Sequence, residues 1–295
     1  MRPGKGKGGR GDARDMPGVD VVPLGESDLD LGMRLTDAEG WFRSLADWRR
    51  LLRLEPAGAF KARAGSEDAG IACAIAYDRV AWIHSMIVGT RFRGRGVGRA
   101  LIEACLGFAA SRAVPTVKLD SVLGVEPFYE RFGFRVEFPS RRFHRDGGGS
   151  PADAEPLRPT EARALAAFDR GAVRYDRSRV LDALVREFPN RAFVVRDGPR
   201  IRGYALARLG DARSCLGPCV ADPDDPGVAE ALVRTVLGTF PGERFRVCVP
   251  GSHPATARLF RDLGFEEVKP STRMWRGARL EEGRWAFAAS SAEKG

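Results

Sequence analysis

Three glycines and three arginines stand together in the first third of the chain, in a pattern suited to holding a phosphate. They form the segment Arg93-Gly94-Arg95-Gly96-Val97-Gly98-Arg99. Glycine lets backbone N–H groups crowd around one anion without a Cβ in the way, and the arginines add positive charge. An apolar run over residues 81–88 leads into the segment, and an apolar-periodic helix is predicted over residues 98–113. The start of that helix presents unpaired amides and a positive dipole end, so we predict a phosphate site here.

The spacing of this segment resembles the acetyl-CoA loop of the GNAT acetyltransferases. Arg93-x-x-Gly96-x-Gly98 is similar to the family's Gln/Arg-x-x-Gly-x-Gly/Ala. Residues 127–134, Pro-Phe-Tyr-Glu-Arg-Phe-Gly-Phe, resemble its Leu-Tyr-Glu-Lys-Leu-Gly-Phe helix end, and a strand-like stretch at 116–120 separates the two motifs. The resemblance covers residues 20–144 and implies an N-acetyltransferase that uses acetyl-CoA as cosubstrate.

A dinucleotide-binding loop is the alternative interpretation of the same glycines. Gly94-x-Gly96 follows a strand, and Asp120 lies where a ribose-binding acid belongs. However, the third glycine of that fingerprint would fall at Arg99, and residues 91–93 separate the strand from the first glycine. Both features favour acetyl-CoA.

The resemblance implies direct attack of an amine on the thioester within a ternary complex, and it assigns residues to that chemistry. The implied cofactor-binding residues are Met86, Ile87, Val88, Arg93, Gly94, Arg95, Gly96, Val97, Gly98 and Arg99. A backbone N–H near Ile87 would stabilise the developing oxyanion. Tyr129 stands where the family's tyrosine protonates the departing thiolate, and the alternative is an amphipathic core tyrosine at a helix end.

The general base has several candidates in this sequence. His84 has a side chain that titrates near neutral pH and lies on the strand entering the loop, although a buried histidine without a catalytic role is the alternative. Asp120, at the end of the neighbouring strand, is the second candidate, and a water chain with no single base is the third. The family often has an Asn seven residues before its tyrosine, where this chain has Val122.

The chain also repeats itself. Gly133-Phe134 recurs as Gly264-Phe265, at a shift of 131 residues. At the same shift, Pro139-Ser140-x-Arg142 recurs as Pro270-Ser271-x-Arg273. The alignment at this shift holds without gaps over about fifty residues, which indicates two copies of one fold.

The second copy has lost the residues of the phosphate loop. Arg93, Gly94, Arg95 and Arg99 become Asp224, Asp225, Pro226 and Glu230, and Tyr129 becomes Phe260. Acidic residues at a helix N-terminus repel a pyrophosphate, and proline removes an N–H group. We therefore expect a second half that keeps the fold without binding coenzyme A. It would serve as a structural lid or dimer surface, or as a wall of the substrate cleft.

The expected fold is α/β, with two tandem GNAT-like domains, each a mixed, largely antiparallel twisted sheet flanked by helices. The predicted segments are a disordered tail (1–18), an acetyl-CoA-binding domain (19–145), a Gly/Pro linker (146–156), a degenerate domain (157–280) and a C-terminal tail (281–295). Predicted helices are 34–39, 44–54, 98–113, 125–132, 175–187, 228–239 and 253–263. Predicted strands are 58–64, 70–77, 81–88, 116–120, 134–143, 191–196, 201–209, 213–220 and 244–250.

Composition limits the classes of partner that we expect this protein to bind. With 43% hydrophobic and 29% charged residues in 295, the chain is typical of a globular protein. The net charge of +9 is spread along the chain, so we expect no nucleic-acid partner. The sequence has no long apolar run and no apolar stretch after the basic N-terminus, which predicts a cytoplasmic protein with no membrane segment. The five cysteines lack zinc spacing, so no metal is expected.

The sequence thus predicts an N-acetyltransferase that moves the acetyl group of acetyl-CoA to a primary amine of a small molecule. The alternatives are a non-catalytic acyl-CoA-binding sensor and a protein N-acetyltransferase. Tyr129 favours an enzyme, because a sensor needs no acid for a leaving group.

Overall fold

The computed structural model describes residues 18–41, 43–252, 254–280 and 284–289. Most of the predicted N-terminal tail and much of the predicted C-terminal tail lie outside these ranges. The helices are α1 Leu29–Ala38, α2 Leu45–Leu54, α3 Val97–Ser111, α4 Glu126–Glu130, α5 Ala162–Val173, α6 Ser178–Glu187, α7 Pro226–Thr239 and α8 Pro254–Asp262.

The strands of the first half are β1 Val19–Pro23, β2 Ala59–Ala64, β3 Glu67–Ala76, β4 Val80–Val88, β5 Thr116–Val122 and β6 Arg135–Asp146. Those that follow are β7 Glu155–Pro156, β8 Ala192–Asp197, β9 Arg200–Arg208, β10 Ser214–Ala221, β11 Arg244–Pro250, β12 Glu266–Gly277 and β13 Ala286–Ala288. The α/β class and the doubled fold are as the sequence predicts, since β6 and β12 repeat each other at the shift of 131.

All of these strands belong to one sheet, in the order β1-β2-β3-β4-β5-β12-β6-β11-β10-β9-β8-β7, with β13 paired to β10. The closing strands of the two halves are therefore exchanged. β12 lies beside β5 of the first half, and β6 lies beside β11 of the second half. Where β6 and β12 meet, Ser140 pairs with its repeat counterpart Ser271. The domain bounds predicted from the sequence stay a prediction. They treat each half as one continuous segment and therefore do not include this exchange.

The exchange carries core residues from each half into the other. Met274 of β12 is fully buried in the first-half cluster that contains Tyr129 and Leu101. Its repeat counterpart, Phe143 of β6, is fully buried in the second-half cluster that contains Phe260. Each half thus completes its core with a side chain from the other, because buried apolar area is the main favourable term in folding.

Helices cover both faces of the sheet, and the alternation of side chains along a strand decides which face each helix covers. On β3, Ile71 and Cys73 pack in the cluster of α1 and α2, whereas Ala72 packs in the cluster of α3. On β9, Tyr204 faces α5 and α6, and Ala205 faces α7. Helices α1, α2, α5 and α6 therefore share one side, and α3 and α7 lie on the other.

Local signals explain where several helices begin. The Ser44 hydroxyl accepts a hydrogen bond from the Asp47 N–H (3.0 Å) and caps α2. Helix α3 follows Gly96, whose φ of 81° is in the left-handed region that glycine occupies without strain. Helix α1 begins at Leu29, earlier than predicted, and contains Gly32. A Cβ at Gly32 would lie 2.8 Å from the Trp48 ring, so this glycine permits close packing and does not break the helix.

The expected element list was incomplete. The sequence did not predict α5, β1, β7 or β13, and β12 was expected only as an unplaced closing strand. The strands β1, β7 and β13 are short, which leaves little apolar alternation to recognise in the sequence.

Replacing Met274 with Ala tests the exchange. We expect a loss of about 2–5 kcal/mol in the free energy of unfolding, because the side chain is fully buried in the core of the first half. Val136→Ala is the matched control, since Val136 pairs with Met274 but is 53% exposed, and it should change the free energy by less than about 0.5 kcal/mol. Urea unfolding measures both. A separate first-half transition that M274A leaves unchanged would contradict the exchange.

Candidate active site

Strands β4 and β5 run parallel and then separate. They pair from Val80 with Thr116 to Ile83 with Leu119, and the described ladder between them ends there. On its other side β4 stays paired to β3 as far as Val88, with a register shift where Ser85 adopts a φ of 52°. The backbone of β4 from residue 84 to 88 therefore presents a sheet edge toward the gap, to which an extended ligand can add as a strand.

The phosphate loop lies at the end of this edge. Gly94 and Gly96 have φ of 75° and 81°, and a Cβ added to either would meet no atom within 4 Å. Helix α3 makes its first internal bond from the Ala100 N–H to the Gly96 carbonyl oxygen (3.0 Å), so the amides of residues 97–99 are those that a helix N-terminus offers to a ligand. The loop residues fit the diphosphate of coenzyme A, because backbone donors and a dipole end converge on an open space.

The arginines of the loop are held in different ways. Arg93 forms an ion pair with Glu39 at the end of α1, and its Nε donates to the Val88 carbonyl oxygen (3.1 Å). Arg99 lies 3.7 Å from Glu103 in an exposed pair. Arg93 therefore fixes the loop to α1, and Arg99 adds exposed charge beside the helix N-terminus, where a phosphate would approach.

Tyr129 reaches the same strand edge from α4. Its hydroxyl donates to the Met86 sulfur at 3.7 Å, and its ring is buried between Phe128 and Phe134. Burial raises the pKa of the Tyr129 phenol, so the hydroxyl stays protonated and can donate a proton or a hydrogen bond. Helix α4 is in turn fixed to the exchanged strand, since Thr272 donates to the Glu126 carboxylate at 2.5 Å.

His84 and Asp120 come directly after the last β4–β5 pair, one on each strand. His84 is 6% exposed, and its Nδ1 lies 2.9 Å from the Ser85 hydroxyl. Asp120 is bound by Arg273 of β12, with Nε at 2.5 Å and Nη2 at 3.2 Å, and it accepts from the Ser140 hydroxyl at 3.2 Å. The carboxylate of Asp120 is thus the counterion of a fully buried guanidinium.

Sequence reasoning missed the partners that fix these residues. Arg273 belongs to the repeated motif Pro-Ser-x-Arg, but its contact with Asp120 depends on the exchanged register. Arg273 is fully buried, and a buried guanidinium requires an acidic partner, but β12 carries several other charged residues that hide this signal in the sequence. The Thr272–Glu126 contact left no signal in the sequence.

In the second half, the gap equivalent to the one between β4 and β5 is filled by strand β13 of the same chain. Strands β10 and β11 pair only at Ser214–Phe245 and Cys215–Arg246 before they separate. Strand β13 then pairs with β10, and the Ala289 N–H donates to the Cys248 carbonyl oxygen of β11 (2.9 Å). Since β13 occupies the position that the β4 edge leaves open, the second half has both an acidic loop and a filled gap.

The described residues give little support to a membrane-spanning helix or a metal site. No helix in the described ranges is long and apolar enough to cross a membrane. Within the same ranges, no three His, Cys, Asp or Glu side chains lie together in an arrangement that could hold a metal ion. A separate cavity of about 660 Å³ lies between β1 and α3, lined by Val21, Phe60 and Phe108, and is remote from the β4–β5 gap.

Comparisons with known proteins agree with this geometry. A model described as "Acetyltransferase (GNAT) family" matches residues 29–134, and one described as "Acetyltransferase (GNAT) domain" matches residues 165–286. No curated protein sequence matches the chain.

Several solved structures share the fold. A candidate acetyltransferase of Pyrococcus horikoshii is 20% identical, with a TM-score of 0.78, over 98% of this chain and 100% of that one. A GCN5-related N-acetyltransferase of Sphaerobacter thermophilus is 17% identical, with a TM-score of 0.68, over 90% and 96%. A tandem GNAT protein from the clavulanic acid biosynthesis pathway is 17% identical, with a TM-score of 0.59, over 90% and 100%.

Asp120→Asn separates the two roles of this carboxylate. As the counterion of buried Arg273, its loss should lower the free energy of unfolding by about 3–5 kcal/mol. Adding Arg273→Met to the variant should recover most of that loss, because no uncompensated charge then remains buried. Denaturant unfolding of the three chains measures this. Wild-type stability in D120N would contradict the ion-pair role and return Asp120 to candidacy as the base.

Proposed function

The chain belongs to the GNAT acetyltransferases, with one such domain matched in each half, and is an acyltransferase; from this premise we propose that it moves the acetyl group of acetyl-CoA to a primary amine of a small molecule. The observation that carries the proposal is the open edge of β4, which has the phosphate loop at one end and the Tyr129 hydroxyl beside it at Met86.

In the proposed complex the first half binds the cofactor. The amides of residues 95–99, with Arg93, Arg95 and Arg99, hold the diphosphate, and the backbone of Met86, Ile87 and Val88 pairs with the pantetheine arm. Bound acetyl-CoA supplies an activated thioester. The remaining chemistry falls to this chain's own groups.

Two groups support the acyl transfer step. A backbone N–H of the β4 edge, at Ile87 or a neighbouring residue, would donate to the oxygen on which negative charge develops. The Tyr129 hydroxyl, buried and protonated, donates to the sulfur that leaves. Its contact with the Met86 sulfur at 3.7 Å supports this role, because that contact places the hydroxyl at the edge itself.

His84 is the proposed acceptor of the amine proton. It lies at the start of the gap, and its imidazole ring is oriented by the Ser85 hydroxyl. Asp120 is left out of this role because Arg273 and Ser140 already engage its carboxylate. A chain of water molecules that ends at His84 fits the same assignment.

A small acceptor fits the site better than a protein segment does. The α1–α2 loop and α2 are tied to the second half, since Arg246 donates to the Trp41 carbonyl oxygen at 3.5 Å and Arg208 lies 3.8 Å from Asp47 of α2. These contacts restrict the approach to the gap on the face opposite α3. The second half then acts as a wall of the acceptor cleft, and a role in a homodimer stays a prediction.

Tyr129→Phe tests the transfer chemistry directly. We expect kcat to fall about a hundredfold, because the variant removes the proton donor to the leaving thiolate. The affinity for acetyl-CoA and the unfolding midpoint should stay unchanged, since the hydroxyl bonds only weakly to a sulfur and the second half carries Phe260 at the equivalent position. Release of free thiol from acetyl-CoA, measured across a panel of amines, gives the rate.

The matched control is Tyr77→Phe, which removes a buried hydroxyl from a different cluster and should leave kcat unchanged. Wild-type kcat in Y129F would overturn the assignment of Tyr129. Tight binding of acetyl-CoA with no turnover on any amine or peptide would support a sensor, and turnover on peptides alone would support a protein acetyltransferase.

A further inference from the structure

Four half-buried basic side chains lie together on the sheet face opposite α3 and α7, outside the proposed catalytic and cofactor-binding residues. Arg142 and His144 are on β6, Arg246 is on β11, and Arg213 immediately precedes β10. Strands β6 and β11 pair without a register shift, with Arg142 opposite Cys248 and His144 opposite Arg246. Directly opposed residues share a face, and so do residues two apart in one strand.

The charges of this cluster act on the imidazole ring of His144. Burial lowers the pKa of its imidazole, and the nearby guanidinium groups of Arg213, Arg246 and Arg142 lower it further, while Glu266 of β12 acts in the opposite direction. Three positive charges thus surround one imidazole ring and outnumber the exposed carboxylate that faces it.

These arginines differ from three of the buried arginines of the protein. Each of three fully or largely buried arginines has a carboxylate partner, in the pairs Arg273–Asp120, Arg177–Asp169 and Arg191–Glu243. Within the part of the chain that the structure describes, no ion pair joins Arg142, Arg213 or Arg246 to a carboxylate. The buried Nε of Arg142 also has no hydrogen-bond partner among the described residues.

The repeat shows which group the cluster lacks. Arg142 is the counterpart of Arg273 at the shift of 131 residues, and each faces one residue on the strand beside it. Arg273 faces Asp120, whereas Arg142 faces Cys248. At the junction of β6 with β11, the guanidinium is therefore present without the carboxylate that accompanies it at the junction of β12 with β5. A partly desolvated guanidinium without a counterion favours binding of an external anion.

The cluster lies beside the acceptor end of the β4–β5 gap. The Ser140 hydroxyl donates to Asp120 at the mouth of that gap, and Arg142 follows two residues later on the same face, about 7 Å along the strand. Arg246 contacts the Trp41 carbonyl oxygen, so the α1–α2 loop covers the cluster as well as the gap. A ligand can therefore span both.

We propose that Arg142, Arg213 and Arg246 bind an anionic group of the acceptor, so that the acceptor is an amine that also carries a carboxylate or a phosphate. This proposal rests on the proposed function for the amine, but the anion site itself is independent of turnover. Guanidinium groups suit both anions because their donors match pairs of oxygen atoms.

The first experiment needs no substrate. In the full chain, NMR titration of the His144 ring, assigned with His144→Gln, follows its pKa with and without glutarate or inorganic phosphate. An anion bound by the three arginines should raise the pKa, because it offsets their charge, and the pKa of His84 should not follow. Arg142→Gln should itself raise the pKa of His144 and weaken the response to the anion. Arg163→Gln, an exposed arginine on α5, should do neither.

Failure of both probes to shift the His144 titration at tens of millimolar would overturn the anion site. An equal response in wild type and R142Q would overturn it too, since the anion would then be bound elsewhere.

The second experiment identifies the acceptor class from matched amines. Each of β-alanine, 4-aminobutanoate and 6-aminohexanoate is compared with the alkylamine of equal length, and phosphoethanolamine with ethylamine. For either the amino carboxylates or phosphoethanolamine, we expect kcat/KM to be at least about tenfold higher than for the matched alkylamines. R142Q should remove that margin by raising KM for the anionic amines, whereas R163Q should keep it. Preference for carboxylates or for the phosphate decides between the two anions.

Equal rates for anionic and neutral amines would overturn the acceptor assignment. A His144 response to anions without transfer to any amine would instead contradict the proposed function and leave the anion site in place, so the two failures are distinguishable.

Discussion

The exchange of β6 and β12 is the constraint on which the rest of the structure depends. Because β12 lies between β5 and β6, the strand that supports the first-half site comes from the far end of the chain. It supplies Met274 to the core beneath Tyr129, Thr272 to the α4 anchor and Arg273 to Asp120. The buried ion pair is costly to break from one side, so it holds the exchanged register firmly. The position of Tyr129 is therefore a property of both halves.

The same fold occurs twice in this chain with different outcomes. In the first half the parallel strands separate beside a glycine-rich loop, and the edge of β4 faces an open gap. In the second half the loop carries Asp224 and Asp225, and β13 is inserted between β10 and β11. Duplication followed by loss of one site explains why the second half keeps its packing residues.

Much of this arrangement could be predicted from the sequence, because it is local. The phosphate loop, the helix that follows it and the 131-residue repeat all follow from residue type and spacing, and the structure has the corresponding strands and helices. The exchange could not be predicted, since β6 and β12 have the same pattern and each would fit its own half equally well. For the same reason Asp120 was a reasonable base from its spacing alone. Its partner, Arg273, is distant in sequence, and only the register of β5 with β12 brings the two together.

The two halves of the chain form one continuous sheet, and we propose that only the first half binds the cofactor. Calorimetric titration of the full chain with acetyl-CoA tests it most directly, because the two halves are matched in fold and differ in the loop and the gap. One bound acetyl-CoA per chain is the expected result. Two equivalent sites would contradict the inactivity assigned to the second half, and no binding at all would contradict the cofactor site of the first.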